Sequence, residues 1–426
     1  MGPFFRMLNA GTGAAPNLSG RRARRAFERI RRIRILSELS RQARTRELPV
    51  WLVGGAVRDL LQGREHPDLD VVVPAGSADA LASTLSRRGM GTVVLLSDRS
   101  PRVVRVAGRQ TLDLAELEGD GIGRDLSRRD FTVNAMALEL SSGALVDPFG
   151  GLADLRRRRL RLVRPGNLEE DPLRVLRAAR FYATHGLLPD RALTESCRAV
   201  APRLRDAALE RIATEISRLL EAPGSAPALA WAHRAGVLEP ALGREIPGGI
   251  ARRLGRLDAR PVASAPIPAR RTLRLALLAD ALEVPAEQIA HYLAGRRFSR
   301  EEARRAARIV ELARRAQTLP PDRDWEWIVL AGSEGSDALR AASVLSPRGR
   351  RASSRLERKM RRPRPRVKVS GDDLIAWTGM APGPEVGRIL EALEVEIRRG
   401  ALRSRRQARA WVLSRSAATS PRPPTR

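Results

Sequence analysis

Short apolar runs bounded by turn residues recur between residues 49 and 164. Runs at 50–53, 69–73, 92–96, 103–106, 111–115 and 136–140 read as strands, and helical spacing fits 56–62 and 78–88. These elements suit a small mixed sheet backed by helices. From about residue 165 the pattern becomes helical and stays so, with Pro- and Gly-rich breaks at 222–227, 261–268 and 318–321. The expected fold class is therefore α+β: a sheet-containing head followed by an all-helical remainder.

The flanks carry weaker patterns. Residues 1–20 read as disordered. Over 21–46, Phe27, Ile30, Leu36, Leu39 and Ala43 recur at near-helical spacing among eleven arginines, which predicts one amphipathic helix whose polar face is solvated or touches RNA. Residues 346–366 hold ten basic side chains against Glu357, with Pro347, Pro363 and Pro365 breaking any long helix; they read as a basic linker. Residues 367–413 form a last helical unit, frayed after 415.

Composition changes the picture in several ways. At 426 residues the chain exceeds one compact core. A net charge of +30 points to a polyanionic partner, although the bias to Arg, with only Lys359 and Lys368 as lysines, also fits a genome rich in G and C. Aromatics at 4% argue against a base-stacking platform. Cys197 is the only cysteine, which excludes an internal disulfide or a CxxC metal site and fits a reducing cytoplasm. No apolar stretch approaches the length of a membrane span, and no secretion signal is evident at the N-terminus. His66, His185, His233 and His291 are scattered, and none is followed by Asp.

The chemistry concentrates early. An apolar run ends at Gly54-Gly55, and Arg58 follows on the next helix. Asp68 and Asp70 then lie two apart on the next strand. Residues i and i+2 of a strand share a face, so both carboxylates can converge on a pair of Mg²⁺ ions, which take hard oxygens and bridge to substrate phosphates. Glycines let the backbone approach a triphosphate, and Arg58 can neutralise part of its charge. Asp113, in another strand-like run, is a candidate third carboxylate and general base. Asp171, Arg174, Arg177 and Arg180 recur every three residues and can line a cleft wall, while Asp171-Pro172 equally fits a helix N-cap with Pro at N1.

The glycine–arginine helix and the Asp68/Asp70 pair are followed in order by Asp125–Ala137 (DLSRRDFTVNAMA), Asp147–Leu155 (DPFGGLADL), Glu170–Phe181 (EDPLRVLRAARF), and Glu210-Arg211 with Glu215. In this order the chain resembles the class II tRNA nucleotidyltransferases and the related bacterial poly(A) polymerases, strongly from about 49 to 220 and modestly near the C-terminus. The resemblance implies a catalytic head at 49–164, after a basic extension at 1–48. It also implies a nucleotide-selecting neck at 165–220, a body at 221–345, the basic linker, and an RNA-binding tail at 367–426. It implies Mg²⁺-dependent addition of CMP and AMP, from CTP and ATP, to a tRNA 3′ end without a template, with no membrane and no obligate protein partner.

The same resemblance sets Arg129 and Asp130 beside phosphate and ribose, with Asn134 on the same helical face. It aims Asp171 and Arg174 at the base edge, where C and A both offer an exocyclic amino group. It treats Asp147–Gly151 as a hinge, which the residues alone read as a plain turn. Glu210, Arg211 and Glu215 read as helix–helix ion pairs. The interval Leu114–Ser127 is shorter than the flexible loop of many relatives that complete CCA, so an enzyme adding CC well and the terminal A poorly is one expectation. A poly(A) polymerase, an A-adding enzyme and a catalytically silent RNA-binding protein are the remaining alternatives.

Overall fold

The computed structural model describes residues 21–64, 68–119, 121–363 and 367–419. The stretch 1–20, expected to be disordered, and His66 lie outside them. The chain divides into two compact units, residues 1–208 with 231–243, and residues 209–230 with 244–426. The expected neck at 165–220 thus contributes to both.

The first unit opens with two helices, α1 (Arg21–Arg32) and α2 (Arg34–Thr45), where a single one was expected. Ile33 between them is extended (φ −83°, ψ 107°). The reason is phase. Ile30 and Leu36 are six residues apart, so on one continuous helix their directions would differ by about 120°. Breaking at Ile33 buries Ile30, Leu36, Leu39 and Ala43 together. The Ser40 hydroxyl also donates to the Leu140 carbonyl, at 2.5 Å. These helices are therefore built into the head, not appended to it.

The remaining head elements are β1 (Trp51–Val53), α3 (Gly55–Gln62), β2 (Asp68–Val73), α4 (Ala78–Arg87), β3 (Thr92–Ser97), β4 (Val103–Ala107), β5 (Thr111–Glu116), α5 (Ile122–Ser127), β6 (Ala137–Glu139) and β7 (Leu145–Val146). All six expected strands are present. The sheet order is β3-β4-β5-β2-β1-β6-β7, antiparallel except for β2 beside β5. Alternation sorts the two faces. Leu69, Val71, Leu112 and Leu114 point to one face and are buried. Asp68, Asp70 and Val72 share the other. There Val72 joins Val53, Leu126, Ala135 and Ala137 in a small core that covers one end of the face. Asp68 and Asp70, at the opposite end of β2, stay exposed.

Beyond the sheet come α6 (Gly151–Arg156), α7 (Gly166–Glu170) and α8 (Arg174–His185). The Asp147 carboxylate accepts from the Gly151 and Leu152 amides at 2.7 and 2.9 Å, so the Asp147–Gly151 turn caps α6. Cys197 is buried, and that burial pushes its thiol up to about 12, which leaves it unreactive.

The described part of the second unit is helical. Glu210 pairs with Arg297 at 3.1 Å, and Glu215 with Arg218 at 4.0 Å. The expected basic linker is in fact mostly a helix, Pro347–Met360. Pro347 sits in its first turn, where no amide donor is needed, and the Ser346 hydroxyl accepts from the Gly349 amide at 3.0 Å. Its charges are not all solvated: Arg355 and Lys359 pair with the fully buried Asp324 at 3.0 and 2.9 Å. Buried Ala352 and Leu356 complete the docking. At the C-terminal end, Leu374, Val386, Leu393, Ile397, Leu402, Ala408 and Val412 form a core of their own. It is entered through a reciprocal cap between Ser370 and Asp373. The last helix continues to Thr419, past the fraying expected at 415.

Candidate active site

The turn from β1 into α3 sets the first group. Gly54 adopts φ +70°, which favours glycine, and a Cβ there would lie 2.6 Å from Arg129 Nη1 and 3.8 Å from Asp70 Oδ2. Gly54, Arg129 and Asp70 are thus brought together from segments far apart in sequence, and the missing side chain is what admits the guanidinium. Gly55 begins α3. The Arg129 guanidinium is also held by Asp125 Oδ2 at 3.0 Å.

The third carboxylate candidate lies where the strand pattern predicts. Asp113 is the register partner of Asp70 across the parallel β2/β5 pair, as Thr111 is of Asp68. The carboxylate is ion-paired in this structure and not open. Arg105, opposite it on β4, donates to both its oxygens at 2.7 and 2.8 Å. Both carboxylate oxygens are thus engaged in a two-pronged ion pair, which makes Asp113 a charge partner of Arg105 in this structure. No three Asp, Glu, His or Cys side chains among the described residues converge closely enough to cage a metal unaided.

Arg58 also departs from expectation. Only 4% exposed, it donates to Asp59 Oδ1 at 2.8 Å and to Asn134 Oδ1 at 2.7 Å, and lies over the Phe181 ring at 5.1 Å. It braces these groups from a buried position in this structure. Arg129 and Asp130 do not open a helix; they follow α5, Phe131 is extended, and only Thr132–Asn134 make a 3₁₀ turn. Asn134 still reaches Asp130, donating from Nδ2 to Oδ1 at 2.8 Å. Asp130 Oδ2 accepts from Arg177 at 2.9 and 2.6 Å.

A continuous chain, Arg58–Asn134–Asp130–Arg177, therefore ties α3 to α8. Burial pushes the Asp130 carboxyl up, but Arg177, Asn134 and the Phe131 amide outweigh it and hold it below the ordinary carboxylate range. Asp130 is a buried hub of this chain.

The arginine row on α8 is divided by its partners. Arg177 serves Asp130, and Arg180 lies over Phe181 at 4.8 Å. Burial, with Arg58 nearby, pushes the His185 imidazole down to about 3, so the ring stays neutral. Asp171 Oδ1 accepts from the Leu173 amide at 3.2 Å, which supports the capping reading, while Arg174 remains half-buried.

Asn167 escaped the sequence reading. It is fully buried, and its Nδ2 donates to the Ser127 and Arg129 carbonyls at 2.9 and 2.6 Å. Its own carbonyl accepts from Arg174 Nη1 at 2.8 Å. It joins the segment after α5 to α8. A lone Asn between Gly and Leu carries no periodic signal, so nothing local marks it. Asn167→Ala is expected to cost about 1–3 kcal/mol, mainly from the stranded Arg129 carbonyl, since Ser127 keeps Arg164 as a donor. Urea unfolding of wild type and variant measures this.

The chain matches the poly(A) polymerase head-domain family over residues 50–161. It is 42% identical over 190 residues to a CC-adding tRNA nucleotidyltransferase of Synechocystis, covering 44% of this chain and 45% of that protein. A CC-adding enzyme of Geobacter sulfurreducens is 31% identical over 88% of this chain and 93% of its own length. An A-adding enzyme of Deinococcus radiodurans is 30% identical over 85% and 94%. Among solved structures, the Thermotoga maritima CCA-adding enzyme complexed with tRNA superposes with a TM-score of 0.70 at 21% identity, over 90% of this chain and 95% of that one. With nearly full-length relatives at 30% identity or more, and an Asp-bearing mixed sheet followed by helices, the chain belongs to the class II tRNA nucleotidyltransferase family.

Proposed function

We propose that this protein adds nucleotides to the 3′ end of tRNA without a nucleic-acid template, using CTP and ATP. The observation that carries this reading is the exposed Asp68/Asp70 pair beside Gly54 and Arg129. In the reaction the tRNA 3′-hydroxyl attacks the nucleotide α-phosphorus, and pyrophosphate leaves. Asp68 and Asp70 would hold Mg²⁺, which prefers one or two carboxylates completed by substrate phosphates, so a closed protein cage is not required. When bound, the metal neutralises charge developing on the phosphates. Arg129, seated over Gly54, adds positive charge at the same place. The buried Arg58–Asn134–Asp130–Arg177 chain keeps α8 in register with the carboxylate strand.

Asp171 and Arg174, at the head of α8, are the residues we assign to the base edge. A guanidinium and a carboxylate fit the C and A edges and leave polar groups unpaired against U and G. Arg174→Ala is expected to raise UTP use relative to CTP by about tenfold, with tRNA affinity changed less than about threefold. Single-nucleotide incorporation assays read both; unchanged selectivity would leave only the capping role.

A second reading concerns how much is added. Within Leu114–Ser127, β5 continues to Glu116 and α5 begins at Ile122, which among the described residues leaves 117–119 and 121 outside regular elements. So little free chain supports an enzyme that adds CC and stalls before A. Incubating the protein with tRNA transcripts lacking all three nucleotides, with CTP and ATP together, tests both readings. Full CCA overturns the partial reading, products ending at CC support it, and no extension overturns the function.

A further inference from the structure

A second basic feature of the first unit has no part in the catalytic arrangement. A cleft of about 930 Å³ opens between the α1–α2 corner, the C-terminal end of α3 and the turn between β4 and β5. Arg29, Arg32, Arg34, Arg64 and Arg109 line it, with Gln110, and no carboxylate does among the described residues. All five arginines are exposed. None of them makes an ion pair with a carboxylate among the described residues.

The fold builds this concavity. Gly63 ends α3 at φ +83°, and a Cβ there would come within 3.2 Å of Arg29 Nη1, so the glycine lets Arg29 lie across the helix end. Gly91 and Gly108 pack backbone to backbone beneath: a Cβ on Gly91 would lie 2.6 Å from the Ala107 carbonyl oxygen, and one on Gly108 would collide with the Met90 carbonyl. Five like charges gathered around one cleft repel each other, and a polyanion relieves that cost.

We propose that this cleft binds the phosphodiester backbone of the RNA substrate, outside the catalytic centre. The inference rests on the reading of the substrate as RNA. Three features select a backbone over a nucleotide. The arginines come from three separate segments, which suits successive phosphates more than one compact group. Among the described residues no aromatic side chain lines the cleft to stack on a base. The location is also suitable: Arg109 lies two residues before Thr111, the register partner of Asp68, or about 7 Å along the strand direction. RNA held here runs close to the carboxylate-bearing strand. The two N-terminal helices thus gain a use for their many arginines that a biased composition alone does not give.

The test is a triple variant, Arg32→Gln/Arg34→Gln/Arg109→Gln, which leaves Arg29 on Gly63. A second triple variant carries Lys at the same positions. Filter binding of a tRNA transcript at several salt concentrations is the readout, after thermal unfolding shows both variants folded. The glutamine variant is expected to bind tRNA at least about tenfold more weakly, with the slope of log K against log salt reduced by about 2. The lysine variant retains most of both, because the effect is one of charge. Extension of saturating tRNA proceeds at the wild-type rate in each.

Unchanged affinity and slope in the glutamine variant would overturn the proposal. So would a second pattern: tripolyphosphate protecting wild type but not the variant against thermal unfolding, with tRNA affinity intact, which would assign the cleft to a free oligophosphate. If wild type binds tRNA through the cleft yet extends no transcript, the proposed reaction fails while this site stands.

Discussion

Replacing Asp70 with asparagine is expected to lower nucleotide addition at least about a hundredfold while changing tRNA affinity less than about twofold. Asp70 is exposed on β2, next to Asp68 on the same face and beside Arg129 over Gly54. Asparagine keeps the shape and hydrogen-bonding reach but loses the negative charge that a divalent cation requires, so packing is preserved and the chemistry is not. Asp68→Asn is expected to behave alike. Asp113→Asn should differ, because Asp113 is already neutralised by Arg105. Single-turnover extension of tRNA with radiolabelled CTP separates the three. Activity above about one-hundredth of wild type in both the Asp68 and Asp70 variants would sink the metal assignment.

The second large effect is expected at Asp130. Asp130→Ala should destabilise the first unit by about 3 kcal/mol, toward the low end for breaking a buried pair, because Arg177 keeps 32% of its side chain in solvent and can turn outward. Asn134 loses the acceptor for its amide, which loosens its hold on Arg58. Two ends of one chain then relax, α3 and α8, so extension slows even though Asp130 is buried. The pH dependence has a definite sign. The folded carboxyl titrates below its unfolded value of 3.8. Its contribution is therefore fully present above about pH 4 and is lost as pH falls through the lower folded value. The Asp130→Ala variant should lose less stability than wild type below pH 4. Urea midpoints at pH 7, 4 and 3 check both statements; equal slopes in the acid range would remove Asp130 as the hub.

Much of the head was legible because its signals are local. Alternating apolar residues set the strands, and the i, i+2 spacing of Asp68 and Asp70 put both on one face before any partner was known. Gly54 was legible for a similar reason: a glycine pair between a strand and a helix marks a tight turn, and its φ of +70° bears this out. The family match follows from several such motifs in order.

What escaped the sequence depends on partners distant along the chain. Arg58 and Asn134 are 76 residues apart, and Asp130 and Arg177 are 47 apart. No spacing rule indicates that these charges satisfy one another instead of facing a ligand. Arg105 and Asp113 are close in sequence, yet only strand register shows that the arginine occupies the carboxylate. Asn167 bridges three main-chain and side-chain groups that meet only after folding. At Ile33 and over Pro347–Met360, local periodicity and proline position suggested the wrong element, because burial against neighbouring segments outweighed them. By itself the sequence determined the sheet, the carboxylate face and the family, since each is written in short-range pattern. The tertiary structure alone decided which charges remain open to substrate, because a buried charge must find a partner and that partner is chosen in space.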